Sequence, residues 1–583
     1  MRFALMELKM CLAQLLRQFI VLPGNRIKQG FKHDETLVIR PNGIYSIRIL
    51  INSSRISQSS CSTYSLIPLI DPITVDIKTL AEDLSACRYS SSDLVRWYLT
   101  RIDAVNQQGS HPLHAVIETN PDALEIANAL DEERQINGSR SILHGIPILI
   151  KDNIATYDKM ETTAGSLALF GSRVPRDAFV VQQLRKAGAI ILGKASLSEW
   201  ANFKSENVTR GGWSARGGLA YSAYVANGDP EGSSSGSAVA TSAGLCAAAL
   251  GTETYGSIVA PASRGNVVGL KPTVGLTSRS GVIPISHDHD TVGPLGRTVE
   301  DVALLLEVIQ GVDSRDNATQ QQGIIRHQNY TQFLLGIGGL RDLRLGVIRQ
   351  GINITDERQN RVNEAIQLMS IHGATIIDPV NITIIDDDTL SKYIEFLASY
   401  NFRDDIINYL SELKNTTIRS VKDIIKFNIE HADKEFDPKY SPDQNMFISV
   451  ENKTNMTTDD YMKIYNKTRL IGGRDGIDAI LTQHRLDGLI IPDVAHEITI
   501  FASFTGYPLI VVPLGFNKSN DEPYGLMFAG TAWSESMLLR IAHGFEQAFS
   551  VRNTVRPKYA EQNGYILQFL FKIIEFLKKY KLI

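Results

Sequence analysis

The chain has 583 residues, 43% of them apolar and 21% charged, with a net charge of −4. That balance belongs to a folded globular protein able to bury one large core or several ordinary ones. No Lys/Arg block is interleaved with aromatics, so no nucleic-acid partner is expected, and four cysteines (Cys11, Cys61, Cys87, Cys246) without CxxC or Cys/His spacing spell neither a zinc site nor a disulfide framework.

Residues 1–67 alternate basic, Ser-rich and short apolar pieces with no sustained period and are expected to form an extension or leader outside the core. Glu7, Lys9 and Arg17 interrupt its first apolar stretch, unlike a clean signal peptide. No segment offers about 18 uncharged apolar residues, so a spanning helix is not expected. Twelve Asn-x-Ser/Thr sequons, from Asn52 to Asn517, exceed what the composition supplies by chance and lean the chain towards the secretory pathway as a glycoprotein.

Regular patterning then begins, and a single domain is expected over 75–550. "DLVRWYLTRIDAV" (93–105) sets Leu94, Trp97, Tyr98, Ile102 and Val105 on one helical face. "NPDALEIANALDEERQING" predicts a helix with Asn120 as N-cap, Pro121 at its first position and Asn137-Gly138 as its stop. "GIPILI" (145–150) is an apolar run of strand type that ends at Lys151. "DAFVVQQLRKAG" (177–188) predicts a helix capped by Asp177 and closed by Gly188; strand "AIILG" follows, then Ser196 and Glu199 at capping-box spacing.

The alternation resumes in "TVEDVALLLEVIQG" (298–311) and closes with "YPLIVVPLGF" (507–516), "YGLMFAG" (524–530) and "ESMLLRIAHGFEQAF" (535–549). Alternating helices and buried-type strands mean a layered α/β core. Residues 380–470, richer in Asp, Asn and Lys, read as a peripheral helical excursion. The tail, 551–583, carries an apolar helix with a narrow polar stripe of Gln568, Lys572, Glu575 and Lys579. Docking on its own body or on a partner copy is the favoured reading for that helix, with in-plane membrane contact as the alternative.

Chemistry concentrates in "EGSSSGSAVATSAG" (231–244) and "GTETYGSIVAPAS" (251–263). Gly232–Gly236 match a nucleophile elbow centred on Ser234, but "VANGDPEG" before it is a run of turn formers rather than the strand an elbow requires. No phosphate-loop motif is present. A Ser can instead be activated by a neutral Lys held unprotonated by burial, and Lys151, at the end of an apolar strand with Asp152 and Asn153 behind it, is the candidate.

"GIPILIKDN", "GSSSGSAVA" and "GTETYGSI" occur in that order, together with "TAGSLALFGS", "GWSARGG", "GNVVGLKPTVGLTSRSGVIPISHDHDTVGP" and "EPYGLMFAG". In these the chain resembles the amidase signature family over about 75–550. The resemblance implies a single large α/β/α domain with a central mixed β-sheet wrapped by helices. It also implies a catalytic triad of Ser257 as nucleophile, Ser233 as hydrogen-bond bridge at a cis peptide and Lys151 as general base. The backbone N–H groups of Thr254, Tyr255, Gly256 and Ser257 would form the oxyanion hole, with no cofactor and no metal.

The implied reaction hydrolyses a carboxamide to an acid and ammonia or an amine, on a small-molecule or peptide amide. The alternatives are a glutaminase-type subunit of a tRNA-dependent amidotransferase and an inactive amidase-like binding protein. Two departures from the family pattern stand out: the bulky Tyr255, which would be strained if its backbone required positive φ, and the short "IPDVAHEITIFASFTGYP" (491–508). "HDHD" (287–290) has the composition of a metal site but not the geometry, because consecutive residues cannot converge on one ion. Trp200 and Trp213 are read as core or loop packing.

Overall fold

The computed structural model describes residues 70–560 apart from 109–110, 323–328, 383–386, 453–456 and 495–496, together with the backbone of strands Thr36–Ile39 and Ile47–Leu50. The apolar C-terminal helix expected at 564–583 lies outside the described residues. Two compact units divide at Ile70/Asp71; the first contains the antiparallel pair Thr36–Ile39 and Ile47–Leu50.

The second unit is built on one eleven-stranded sheet. In chain order its strands are β1 (Val116–Thr119), β2 (Pro147–Lys151), β3 (Ile190–Ala195), β4 (Ala248–Glu253), β5 (Val268–Lys271) and β6 (Thr291–Gly296). They continue as β7 (Arg344–Ile348), β8 (Thr375–Val380), β9 (Gly488–Ile491), β10 (Leu509–Phe516) and β11 (Pro523–Ala529). Across the sheet the order is β8-β7-β9-β11-β10-β5-β6-β4-β2-β3-β1. The pairings β8-β7, β7-β9, β4-β2 and β2-β3 are parallel and the rest antiparallel, so the sheet is mixed.

Strand periodicity divides the side chains between two cores. Ile490, Ile510, Val512, Leu526 and Phe528 face one core, closed by helices Val299–Ile309, Asp356–Ile371 and Glu535–Ala548. Their neighbours Leu489, Ile491, Leu509, Val511, Met527 and Ala529 face the other, closed by Val259–Arg264 and Glu497–Thr505. Because both faces are covered, the central strands read as unbroken apolar runs: all five residues of β2, Lys151 included, are buried. The architecture is α/β/α, and helices 387–412, 421–430, 445–452 and 458–469 form the excursion between β8 and β9.

Three helix-end signals are used differently from the expectation. The helix expected to start at Asn120 spans Ala123–Asn137, and Asn120 accepts from Asp122 N (3.0 Å) while donating to Ile191 O of β3 (2.8 Å). Asp177 leaves Phe179–Lys186 without a side-chain cap because its carboxylate takes the Tyr157 amide (2.6 Å) and Arg185 (3.1 Å). Ser196 and Glu199 form no capping box: Trp200 and Ala201 are left-handed (φ 50° and 54°), and Glu199 pairs with Lys204 at 2.9 Å. Cys87 is disulfide-bonded, a pairing that no Cys spacing in the sequence marks, and Cys246 is a buried free thiol.

Helix Ser235–Ser242 enters the core at Gly236, where a Cβ would stand 2.4 Å from Ala115 O and 2.4 Å from Ser196 N. Only glycine lets the helix start lie against the end of β3. Gly236→Ala is therefore expected to lower stability by roughly 3 kcal/mol, read as a fall in Tm, and to misplace the serines just before it. Gly338→Ala, where nothing lies within 4 Å of the new Cβ, is the control and should leave Tm nearly unchanged.

Candidate active site

The site begins with strand register. β2 and β4 run parallel with Ile150 opposite Leu250, which sets Lys151, the last residue of β2, beside the Gly251-Thr252 end of β4. Gly232 and Ser233 are joined by a cis peptide bond, and Ser234 N-caps helix Ser235–Ser242. Lys151 Nζ donates to Ser233 Oγ (2.8 Å), Ser234 Oγ (3.0 Å), Thr252 Oγ1 (2.9 Å) and Thr252 O (3.2 Å). Asn153 Nδ2 holds the same Thr252 hydroxyl at 2.9 Å.

Lys151 is fully buried and touches no carboxylate among the described residues. Burial pushes its amine down from the usual lysine value to about 7, against the upward pull of Glu253 and Asp290. Its three hydroxyl neighbours serve a neutral amine and an ammonium alike, since a hydroxyl both donates and accepts.

Ser257 lies on the turn after β4, largely buried at 8% exposure, and its carbonyl accepts the Ser234 amide at 3.1 Å. That bond ties the nucleophile candidate to the residue after Ser233. Lys151 and Ser233 are thus joined by a side-chain hydrogen bond, whereas the Ser257 hydroxyl makes none among the described residues. Ser234, the centre of the elbow motif, is anchored instead: its hydroxyl donates to Thr252 O (3.0 Å) and accepts from Thr252 N (3.2 Å), with no strand feeding it.

The turn 254–257 is fastened from three sides. Glu253 accepts from Ile258 N (2.7 Å) and Val259 N (3.1 Å). Asp290 accepts from Thr254 Oγ1 (2.6 Å), and Ser503 Oγ donates to Thr254 O (2.6 Å). Burial raises Asp290 to about 6. The amides of Thr254 and Ser257 donate to no group among the described residues, while the nearby Gly256 amide favours the charged form of the buried Glu253 carboxylate. Positive φ falls on Gly256 (72°), not on Tyr255, so the exposed Tyr255 ring imposes no backbone strain.

Three contributors were not visible in the sequence. Arg216, from "GWSARGG", reaches Asp152 (3.1 Å) and Glu118, securing the acid next to Lys151, which also accepts Thr163 Oγ1 (2.6 Å) and Gly165 N (3.0 Å). A buried Asp in "KDN" requires such partners, but nothing in the sequence says which arginine supplies one. Asp290 is the second and Ser503 the third. The latter stands in helix Glu497–Thr505, formed by the short segment noted as a departure.

The "HDHD" run divides its members among separate partners. His287 pairs with Asp405 (2.9 Å), Asp288 with Tyr461 and Asn401, His289 with Ser286 (2.7 Å), and Asp290 with Thr254. Trp200 packs edge-on against Phe447 (5.6 Å), and Trp213 lies under Lys204 (4.8 Å).

The amidase family profile matches residues 93–539. A probable amidase of Arabidopsis thaliana is 42% identical over 479 residues, 81% of this chain and 89% of that protein. A putative amidase of Schizosaccharomyces pombe is 37% identical over 499 residues, 81% of this chain and 84% of that one. Among solved structures, the native peptide amidase of Stenotrophomonas maltophilia gives a TM-score of 0.77 at 38% identity, covering 84% of this chain and 99% of its own. With the eleven-stranded mixed sheet and the ordered motifs, these likenesses establish that the chain is an amidase of the amidase signature family.

Proposed function

We propose that the protein hydrolyses the C–N bond of a small-molecule or peptide carboxamide through an acyl-enzyme on Ser257, with Ser233 and Lys151 completing the triad. The observation that carries this reading is the fully buried, carboxylate-free Lys151 amine at 2.8 Å from Ser233 Oγ. The 38% identity to a peptide amidase supports a peptide amide as one substrate class.

In this mechanism neutral Lys151 takes the Ser233 hydroxyl proton as Ser233 takes the proton of Ser257. Ser257 Oγ forms a bond to the amide carbon, and the carbonyl π pair moves onto oxygen. The amides of Thr254 and Ser257 stabilise that oxyanion; one such donor is worth about 2.7–4 kcal/mol in comparable sites. As the tetrahedral species collapses, the C–N bond breaks and the relayed proton leaves with the nitrogen as ammonia or an amine. Water then attacks the ester by the same relay, giving the acid and restoring Ser257.

A fluorophosphonate probe followed by peptide mass spectrometry tests the assignment. The adduct is expected on Ser257 and should weaken in both Lys151→Ala and Ser233→Ala; an adduct on Ser234 that ignores Lys151 would overturn the mechanism. In steady-state assays on amidated peptides, each of those two variants should lose about 10²–10⁴-fold in kcat/KM. Turnover of glutamine only in the presence of added partner subunits would instead favour the amidotransferase reading.

The pH profile follows from the sign of the lysine shift. The active form is the unprotonated amine, which dominates above a pKa of about 7, so kcat/KM should climb about tenfold per pH unit below that value and level off above it. A profile flat from pH 5 to 9 would contradict Lys151 as the base.

A further inference from the structure

We infer that the protein is N-glycosylated, with glycans at Asn329, Asn353 and Asn415 and none at Asn207 or Asn517. The twelve sequons are an excess that catalysis does not explain, and none has Pro at its middle position. Of the eight whose Asn and Ser/Thr both lie among the described residues, seven present an exposed Asn and the eighth, Asn517, is half-buried. Six other asparagines among the described residues are buried (Asn106, Asn120, Asn153, Asn266, Asn401 and Asn428), and none of them begins a sequon. Sequons are therefore kept where a bulky polar group can project into solvent and are absent where one would disrupt the core.

The disulfide at Cys87 is an independent sign of the same compartment. Disulfides form and persist in oxidising surroundings such as the secretory lumen, where oligosaccharide is also transferred to asparagine. The donor there is a lipid-linked oligosaccharide diphosphate. Asparagine Nδ2 forms the new N–C bond at the sugar C1, the C1–O bond breaks, the lipid diphosphate departs with the electron pair, and the Nδ2 proton is lost to base.

Side-chain bonding separates the sites that can carry the product in the folded protein. Asn207 Nδ2 donates to Asp443 Oδ2 at 2.7 Å, and Asn517 Nδ2 donates to Glu522 Oε2 at 3.1 Å; a sugar on either nitrogen would displace those bonds. The Nδ2 groups of Asn329, Asn353 and Asn415 donate to nothing among the described residues. Asn329 uses only its oxygen, which accepts from Thr331 Oγ1 at 2.5 Å. Asn353 precedes Thr355, the N-cap of helix Asp356–Ile371, and Asn415 sits left-handed (φ 57°) in the turn after helix 387–412.

Full-length protein purified from the organism that makes it, digested with peptide-N-glycosidase in heavy-oxygen water, gives a labelled Asp wherever a glycan stood. Label is expected at 329, 353 and 415, with a drop in apparent mass, and none at 207 or 517. Secretory expression of Asn353→Gln should give a protein one glycan lighter with unchanged amidase activity, since that side chain bonds nothing among the described residues. Unlabelled asparagine at 329, 353 and 415, or label at 207 or 517, would overturn the inference.

Discussion

Holding one amine out of water is the constraint from which the rest of the site follows. An ammonium moved into the interior loses several kcal/mol of hydration unless a counter-charge and good geometry offset it. The fold contains a buried lysine of that compensated kind: Lys204 meets Glu199 at 2.9 Å and lies over the rings of Trp213 and Phe436. Lys151 has no such partner. Its contacts are three hydroxyls and one carbonyl, and the nearby acids act through space: Glu253 uses one oxygen on the amides of Ile258 and Val259, and Asp290 uses both, on Thr254 and on the amides of Ile285 and Ser286. The amine is thus left at about 7; burial also lowers Lys194 and Lys271, which likewise bond only uncharged oxygens, to about 8.

The sheet explains why these groups meet. Lys151 ends β2, Glu253 ends β4, and Ser198, just past the end of β3, donates its amide to Ser233 O at 3.1 Å. The three strands are parallel neighbours, so their carboxyl ends open on one edge, the position at which open α/β sheets gather ligand-handling residues. The small residues of Ser235–Ser242 let that helix sit against the same edge, which places Ser233 and Ser234 over the strand ends. Each functional group therefore rests on an element whose packing is set elsewhere, and the site needs no long loop to assemble it.

Much of this was legible in the residues. The unbroken apolar run before Lys151, the turn formers before Ser234 and the small-residue helix after it follow from composition at those positions, and the likeness of the ordered motifs added Ser257. What could not be read were long-range commitments of polar side chains. Asn120 and Asp177 have local helix-cap spacing, yet each also holds a distant backbone group, Ile191 O and Tyr157 N, and the Ser196/Glu199 box is undone by the left-handed backbone at Trp200 and Ala201. Arg216 lies 64 residues from the Asp152 it holds, and Ser503 lies 249 from Thr254. No periodicity encodes such pairings, because one hydrogen bond constrains two positions and leaves the residues between them free.

The run 287–290 shows how far one such pairing reaches. Its first two members face the helical excursion, His287 through Asp405 and Asp288 through Tyr461 and Asn401, while its last holds Thr254, three residues before Ser257. Because Asp290 also accepts the amides of Ile285 and Ser286, the run is folded tightly on itself. The packing of helices 387–412 and 458–469 is thereby tied to the turn that presents the Thr254 and Ser257 amides. A run composed like a metal site is in this fold a bracket, and its carboxylates are occupied by donors that a cation would have to displace.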